Sequence, residues 1–134
     1  MRTRLAILIG VMSIVTASGR ALAHHSFAAE FDEKKTVNLT GTVTKVEWTN
    51  PHARFYLDVK DPRGSVSNWN FELGSAILLR KLGWSRDSLK IGEQVSVEGY
   101  LAKDGAKMAN ARKVTLTDGR NIFAGSSADG NPAK

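Results

Sequence analysis

Hydrophobic and polar residues alternate with a period of two along most of the chain after residue 36, and this pattern predicts β-strands. In the first strand the hydrophobic residues share one parity at Val37 and Val43 and continue on the other parity at Val46 and Trp48. A parity switch inside one strand predicts a β-bulge, which we place near residues 44–45. The first strand is therefore expected to bend.

Two further strands are predicted at residues 52–60 and 66–73, and Asp61-Pro62-Arg63-Gly64 joins them as a turn, since Pro presets φ and Gly accepts a positive φ. Their register follows from pairing core-facing side chains with each other, because a slip of one residue would turn every one of them to solvent. The outward pairs in this register are Arg54 with Glu72 and Tyr56 with Asn70. The inward pairs are Leu57 with Trp69, Phe55 with Phe71 and Ala53 with Leu73.

A single helix is predicted after the third strand. It begins at an N-cap, Ser75, and ends before Gly83, which suits the residue after a helix C-cap. Two more strands follow, at residues 93–102 and 108–116. A second parity switch near Arg112 predicts a second bulge.

The order of three strands, one helix and two strands predicts a mainly β protein. We interpret it as a five-stranded OB-fold-like Greek-key barrel with one helix between strands 3 and 4. An open sandwich of the same strands is the alternative. Three segments are expected: a signal peptide at residues 1–23, the barrel domain at 24–124 and a flexible tail at 125–134. Phe27 and Phe31 are expected to dock the start of the domain on the barrel, with a ligand-facing role as the alternative.

The beginning of the chain has the features of an export signal. Arg2 and Arg4 precede an apolar run over residues 5–17, and Ala21-Leu22-Ala23 is a small-x-small cleavage site that would leave His24 as the first residue. The run is shorter than the roughly 18–20 residues that a membrane span needs, so no stable membrane insertion is expected after cleavage, although an uncleaved anchor is the alternative. The expected location is the periplasm.

Charge and composition narrow the classes of function. The chain has 134 residues, a formal charge of +6 and no Cys, which excludes a disulfide scaffold and a thiol nucleophile. Removal of Arg2, Arg4 and Arg20 with the signal lowers that charge by three, to +3. A charge this small on an exported protein argues against nucleic acid as a partner.

Aromatic, amide and charged side chains concentrate on the outer face of strands 2 and 3 and on the loop before strand 2. In OB-folds this face and the adjoining loops commonly bind ligands, and this chemistry suits a sugar, a peptide or a small anion. The alternative is that these side chains only cover the sheet, as cross-strand pairs worth under about 1 kcal/mol each. The candidate ligand-binding residues are Trp48, Asn50, His52, Arg54, Tyr56, Asn70 and Glu72.

The three histidines support a second hypothesis, a copper site. A terminal His24 offers its α-amine and its ring nitrogen as a chelate, and His25 and His52 offer further imidazoles. Nitrogen donors of this kind suit Cu(II) and its tetragonal geometry. The alternative is that all three histidines are ordinary solvated or turn residues. Copper is the one cofactor that the sequence suggests.

Catalytic motifs are absent from the sequence. It contains no G-x-S-x-G, H-E-x-x-H, P-loop or G-x-G-x-x-G. We therefore expect no enzyme. The leading hypothesis is a non-catalytic periplasmic binding module for a small ligand or an envelope protein, and the alternative is a periplasmic copper-binding protein that uses the mature N-terminal His.

Three motifs carry a resemblance to a known family. They are His24-His25-Ser26-Phe27-Ala28-Ala29-Glu30-Phe31-Asp32, Trp48-Thr49-Asn50-Pro51-His52-Ala53 and Trp69-Asn70-Phe71-Glu72-Leu73-Gly74. In these motifs the chain resembles a family of small exported proteobacterial proteins of unknown function. The resemblance implies an exported single-domain protein and no particular activity.

Overall fold

The computed structural model describes residues 27–123, and these form a mainly β fold. The elements are β1 (Phe31–Glu47), β2 (Arg54–Lys60), β3 (Val66–Glu72), α1 (Ala76–Lys81), β4 (Gln94–Ala102), β5 (Met108–Leu116) and β6 (Asn121–Phe123). The six strands form one sheet in the order β3-β2-β1-β4-β5-β6, with antiparallel neighbours. β3 also pairs in parallel with β5, so the first five strands form a closed circuit of hydrogen-bonded neighbours.

The prediction of five strands is wrong by one strand. β6 is only three residues long and pairs with the end of β5, where Ile122 lies opposite Val114. Three residues are too few to show a period, so the sequence pattern did not reveal β6, which lies inside the predicted barrel domain. β1 is also longer than predicted, because it begins at Phe31 rather than near Val37.

Both predicted bulges are confirmed. The pairing of β1 with β2 shifts between Val43 and Lys45. In the pairing of β4 with β5, Gly99 lies opposite Ala111 and Glu98 lies opposite Lys113, which leaves Arg112 as the extra residue. Each bulge adds a local bend to a long strand.

The predicted register of β2 and β3 is confirmed, with Leu57 opposite Trp69 and Arg54 opposite Glu72. The inward side chains of all five long strands form one core with the buried side chains of the segment that follows α1. Trp69 packs against this core but is only partly buried, whereas the sequence placed it inside. The largest fully buried apolar side chains are Phe31, Phe55, Phe71, Leu57, Leu73, Leu79, Val43, Val95, Val97 and Val114.

α1 begins and ends as predicted. The N-cap Ser75 accepts a hydrogen bond at its Oγ from the backbone N–H of Leu78 at 3.1 Å. Gly83 follows the C-cap with φ of 90°, a conformation that a side chain disfavours. The next segment turns back over the core, where Trp84 and Leu89 are each 5% exposed.

The first described residues are docked on the outside of the sheet. Phe27 lies on a helical turn over residues 27–30, and its ring stacks on Phe31 at 5.5 Å and meets Tyr100 edge-on at 5.8 Å. Both phenylalanines are buried, which confirms the expected anchor. The expected signal peptide, His24, His25 and the expected tail lie outside the described residues.

Candidate functional site

An ion pair with a buried acid lies where β2, β3 and β5 meet on the outer face. Arg54 Nη2 donates to Glu72 Oε2 at 2.8 Å, and Asn110 Nδ2 donates to Glu72 Oε1 at 3.2 Å. The Glu72 side chain is 3% exposed and that of Arg54 is 28% exposed. The expectation of a solvent-exposed acid at this position is wrong, because the parallel pairing of β3 with β5 places Asn110 opposite Glu72 and encloses the carboxylate.

His52 lies beside this ion pair. Its Nδ1 atom is 4.0 Å from Glu72 Oε1, which is too long for a hydrogen bond. That nitrogen is buried and has no hydrogen-bond partner. The backbone around it is fixed, since Thr49 Oγ1 donates to the His52 carbonyl at 3.0 Å and the N–H of Ala53 donates to the Gly74 carbonyl at 2.9 Å.

Asn70 extends the site toward the start of β5. Its Nδ2 lies 3.9 Å from Met108 Sδ, and Arg54 Nη1 lies 3.8 Å from the same sulfur. A thioether is a weak acceptor, so these contacts supply little stabilisation. The Oδ1 atom of Asn70 is buried without a hydrogen-bond partner, like the His52 nitrogen.

Tyr56 belongs to a second, more exposed group on the same face. Its hydroxyl donates to Glu47 Oε2 at 3.1 Å, and Lys45 Nζ binds Glu47 Oε1 at 2.5 Å and lies 5.2 Å from the centre of the Tyr56 ring. The hydrogen bond from Lys45, followed by the smaller effect of the one from Tyr56, lowers the pKa of Glu47. The hydrogen bond to Glu47 raises the pKa of Lys45. Burial, followed by the hydrogen bond to Glu47, raises the pKa of Tyr56.

We expect Glu47→Gln to lower the pKa of Tyr56, but only in part, because burial is the larger cause of its upward shift. A raised tyrosine pKa stabilises the fold below the ordinary value of about 10, and this contribution is lost as the pH rises through the folded-state value. The variant should therefore lose less stability than the parent in alkali. Absorbance titration at the tyrosinate band, in a Tyr100→Phe background, measures the midpoint, and an unchanged midpoint would contradict the assignment.

The loop between β1 and β2 is fastened to the start of α1. The Thr49 carbonyl accepts the N–H of Ala76 at 3.3 Å, and Asn50 Oδ1 accepts that of Ile77 at 3.4 Å. Trp48 packs against the core and is partly buried. Of the seven predicted residues, the structure brings the side chains of His52, Arg54, Asn70 and Glu72 together. The side chains of Tyr56, Trp48 and Asn50 make their contacts elsewhere, although Tyr56 lies opposite Asn70 in the sheet.

Sequence reasoning missed two residues of this site, Asn110 and Met108. Both have the outward parity of β5, since Ala109 and Ala111 belong to the hydrophobic core, although Asn110 is also buried. That parity was readable in the sequence. The pairing of β5 with β3, which brings both residues to Glu72 and Asn70, was not.

The described residues contain no complete metal centre. Within residues 27–123 no group of three or more His, Asp or Glu side chains is arranged to hold a metal ion. His52 is the member of the predicted copper set that falls in this range.

Within residues 27–123, no helix has the length and apolar character needed to cross a membrane.

The surface also has two open depressions. One, of about 360 Å³, is lined by Ala29, Glu30, Ala102, Lys103, Asp104 and Met108. It joins the docked N-terminal turn to Met108 and so to the edge of the site. The other, of about 540 Å³, is lined by residues that include Leu82, Leu116 and Arg120. Leu116 lies six residues after Asn110 on β5.

Comparisons with known proteins place the chain in a family. Residues 11–111 match the model of a family described as a family of unknown function (DUF6152), and the chain belongs to that family. No curated protein matches the chain. Among solved structures it is similar to the dimeric N-terminal domain of the PriB protein from Thermoanaerobacter tencongensis. The identity is 19%, the TM-score is 0.43, and the match covers 63% of this chain and 98% of the other.

Proposed function

We propose that the protein is a non-catalytic periplasmic binding module with an OB-fold-like barrel, exported by a signal peptide that is cleaved after Ala23. Its ligand surface is the outer face of β2 and β3 with the end of the β1–β2 loop, and its ligand is a small molecule or a segment of an envelope protein. The residues that contact the ligand are His52, Arg54, Tyr56 and Asn70, with Glu72 holding Arg54 in place.

Two unsatisfied polar atoms on this surface carry the proposal. His52 Nδ1 and Asn70 Oδ1 are both buried without a hydrogen-bond partner, on either side of Arg54. An unsatisfied buried polar atom costs about 1–3 kcal/mol, so a group that bonds to it recovers that free energy on binding. A ligand with a donor for the Asn70 amide oxygen and a second polar group for His52 Nδ1 satisfies both atoms at one place.

The charged groups of the surface support binding rather than catalysis. Arg54 is bonded to Glu72, and Lys45 and Tyr56 are both bonded to Glu47. Each acid is thus held by a cation together with an amide or a phenol. The surface suits recognition by directed hydrogen bonds. Nucleic acid is not among the proposed ligands, because the charge after export is only +3.

The test is a thermal-shift screen of the mature protein with monosaccharides, dipeptides, carboxylates and phosphate. A ligand present at 100 times its Kd stabilises the folded state by about 2.7 kcal/mol, which raises the Tm of a domain of this size by roughly 10 °C. The shift should disappear in Tyr56→Ala and Asn70→Ala and persist in Lys81→Ala, an exposed position on α1. Equal shifts in all three variants would refute the proposed surface.

A further inference from the structure

We infer that Met108 is a site of reversible oxidation, at which a peroxide converts the thioether to a sulfoxide whose oxygen is held by Arg54 and Asn70. Arg54 lies on β2, Asn70 lies on β3 and Met108 begins β5. Oxidation therefore ties the start of β5 to two neighbouring strands. The inference concerns a modification of the protein and needs no ligand, so it is tested apart from the proposed function.

Two N–H groups converge on the sulfur of Met108. Arg54 Nη1 lies 3.8 Å from Sδ and Asn70 Nδ2 lies 3.9 Å from it. Within residues 27–123 the sulfur is the only hydrogen-bond acceptor that either of these nitrogens contacts. A thioether is a weak acceptor, whereas a guanidinium forms strong, short hydrogen bonds to oxygen. The donors are thus in place for an acceptor that the unmodified side chain lacks.

An oxygen atom on the sulfur supplies that acceptor. N–H···O hydrogen bonds span about 2.7–3.2 Å. An oxygen bonded to Sδ on the side of the two donors lies closer to both nitrogens than the sulfur does, which brings it into this range. Methionine oxidation commonly disrupts hydrophobic cores. Met108 belongs neither to the described core nor to the residues packed against it, so the new polar group costs little packing.

A small oxidant can reach Met108 from solvent. The residue is partly exposed, and it lines the open depression of about 360 Å³ together with Ala102 and Asp104. A peroxide molecule has roughly the size of two water molecules, each of which takes up about 30 Å³ in the liquid. It therefore fits in the depression and approaches the side chain while every strand stays paired.

The reaction transfers one oxygen atom. A lone pair on Sδ attacks one oxygen of hydrogen peroxide, and the S–O bond forms as the O–O bond breaks. The second oxygen takes the proton from the first and leaves as water. The sulfur is oxidised by two electrons and the peroxide is reduced by two. The N–H groups of Arg54 and Asn70 donate to the transferred oxygen, and methionine sulfoxide reductases reverse the change.

The experiment treats the mature chain, in which Met108 is the only methionine, with hydrogen peroxide. Mass spectrometry of the intact chain and of its peptides follows the addition of one oxygen atom at Met108. The reference is Met108→Leu/Ile91→Met, because Ile91 is 73% exposed. We expect Met108 in the folded chain to react within about tenfold of the rate of the methionine at position 91.

The stability of the oxidised chain tests the two hydrogen bonds. We expect oxidation to raise the Tm by about 4–8 °C, the shift that one additional net hydrogen bond gives a domain of this size. Asn70→Ala should reduce this gain by about half, because one of the two donors is lost. Asn68→Ala is the matched control on the same strand and should keep the full gain, since Asn68 bonds to Asp58 and Thr44 instead.

Each gain is the difference between the oxidised and reduced forms of one variant, so the variant's own stability cancels. Hydrogen exchange should slow on oxidation at the β3–β5 pairing, over residues 70–72 and 108–110. Treatment with methionine sulfoxide reductases should restore the original mass and Tm. Oxidation of the reference chain should leave its Tm unchanged, because the methionine at position 91 is exposed.

Four results would each overturn the inference. They are a Met108 that reacts only after unfolding in urea, a Tm that falls or stays constant on oxidation, equal gains in Asn70→Ala and Asn68→Ala, and an equal gain in the reference chain. The second and third distinguish a held sulfoxide from one that is merely tolerated.

This inference and the proposed function fail in different ways. If the sulfoxide does not stabilise the chain while Tyr56→Ala still abolishes a ligand's thermal shift, the modification site is wrong and the binding module stands. If the sulfoxide stabilises the chain as expected while Tyr56→Ala and the parent give equal ligand shifts, the ligand surface is wrong and the modification site stands.

Discussion

Gly99→Ala lowers the free energy of unfolding by about 3 kcal/mol or more. A Cβ atom at this position would lie 2.5 Å from the carbonyl oxygen of Asn110 and 3.1 Å from its carbonyl carbon. Both are backbone atoms of the neighbouring strand, so relief of the contact requires that β4 and β5 move apart. The measurement is urea unfolding of the purified mature chain.

The sign of this effect separates packing from chain entropy. A Gly-to-Ala change at a position free of clashes stabilises a protein by about 0.4–1 kcal/mol, because it restricts the unfolded chain. Glu98→Ala is a matched control on the adjacent residue, where the ion pair with Lys113 is exposed and contributes no more than about 1 kcal/mol. Unchanged or increased stability of Gly99→Ala would show that the bulge does not hold the strands this close.

Arg54→Ala costs about 2–3 kcal/mol and costs more than removal of the acid that it binds. The variant leaves a carboxylate that is 3% exposed without its guanidinium, and an uncompensated buried charge is strongly destabilising. Asn110 continues to donate to Glu72, which keeps the cost below the full value for a broken buried pair. In Glu72→Gln, by contrast, the remaining charge is on Arg54, which already reaches solvent.

A double-mutant cycle with Arg54→Ala, Glu72→Gln and the combination measures this asymmetry in urea. We expect Arg54→Ala to exceed Glu72→Gln by at least about 1 kcal/mol and the double variant to be more stable than Arg54→Ala alone. The outcome that contradicts us is equal and additive losses, which would mean that Glu72 is as well solvated as Arg54.

The register of β2 and β3 was predictable because the inward or outward position of every residue in both strands constrains it. Phe55, Leu57 and Phe71 share the inward parity, which a slip of one residue would reverse, and the structure has the predicted alignment. The bulges were predictable for the same reason, since a parity switch in the sequence is a local record of an extra residue. Local chemistry also predicted the ends of α1 at Ser75 and Gly83.

The parts that could not be predicted depend on contacts between segments that are distant in sequence. The beginning of β1 at Phe31 is followed by mostly polar residues with no alternation, and its pairing with Ala102 precedes a register shift. The burial of Glu72 needs Asn110, 38 residues further on, and no local pattern records their meeting. Trp69 is only partly covered, and β5 begins to pair with β3 one residue later, at Asn70.

The parallel pairing that completes the circuit of strands involves the fewest paired residues of any pairing in that circuit. It joins β3 to β5 through three residue pairs, against seven in each of the pairings β2–β3 and β4–β5. Local opening in proteins begins where the fewest contacts must be given up. Separation at this seam admits water to the carboxylate of Glu72 while every antiparallel hairpin stays intact. Glu72 therefore lies next to the strand pairing that requires the least free energy to open. A ligand that contacts both β3 and β5 would slow amide hydrogen exchange at this pairing before it changes the global stability.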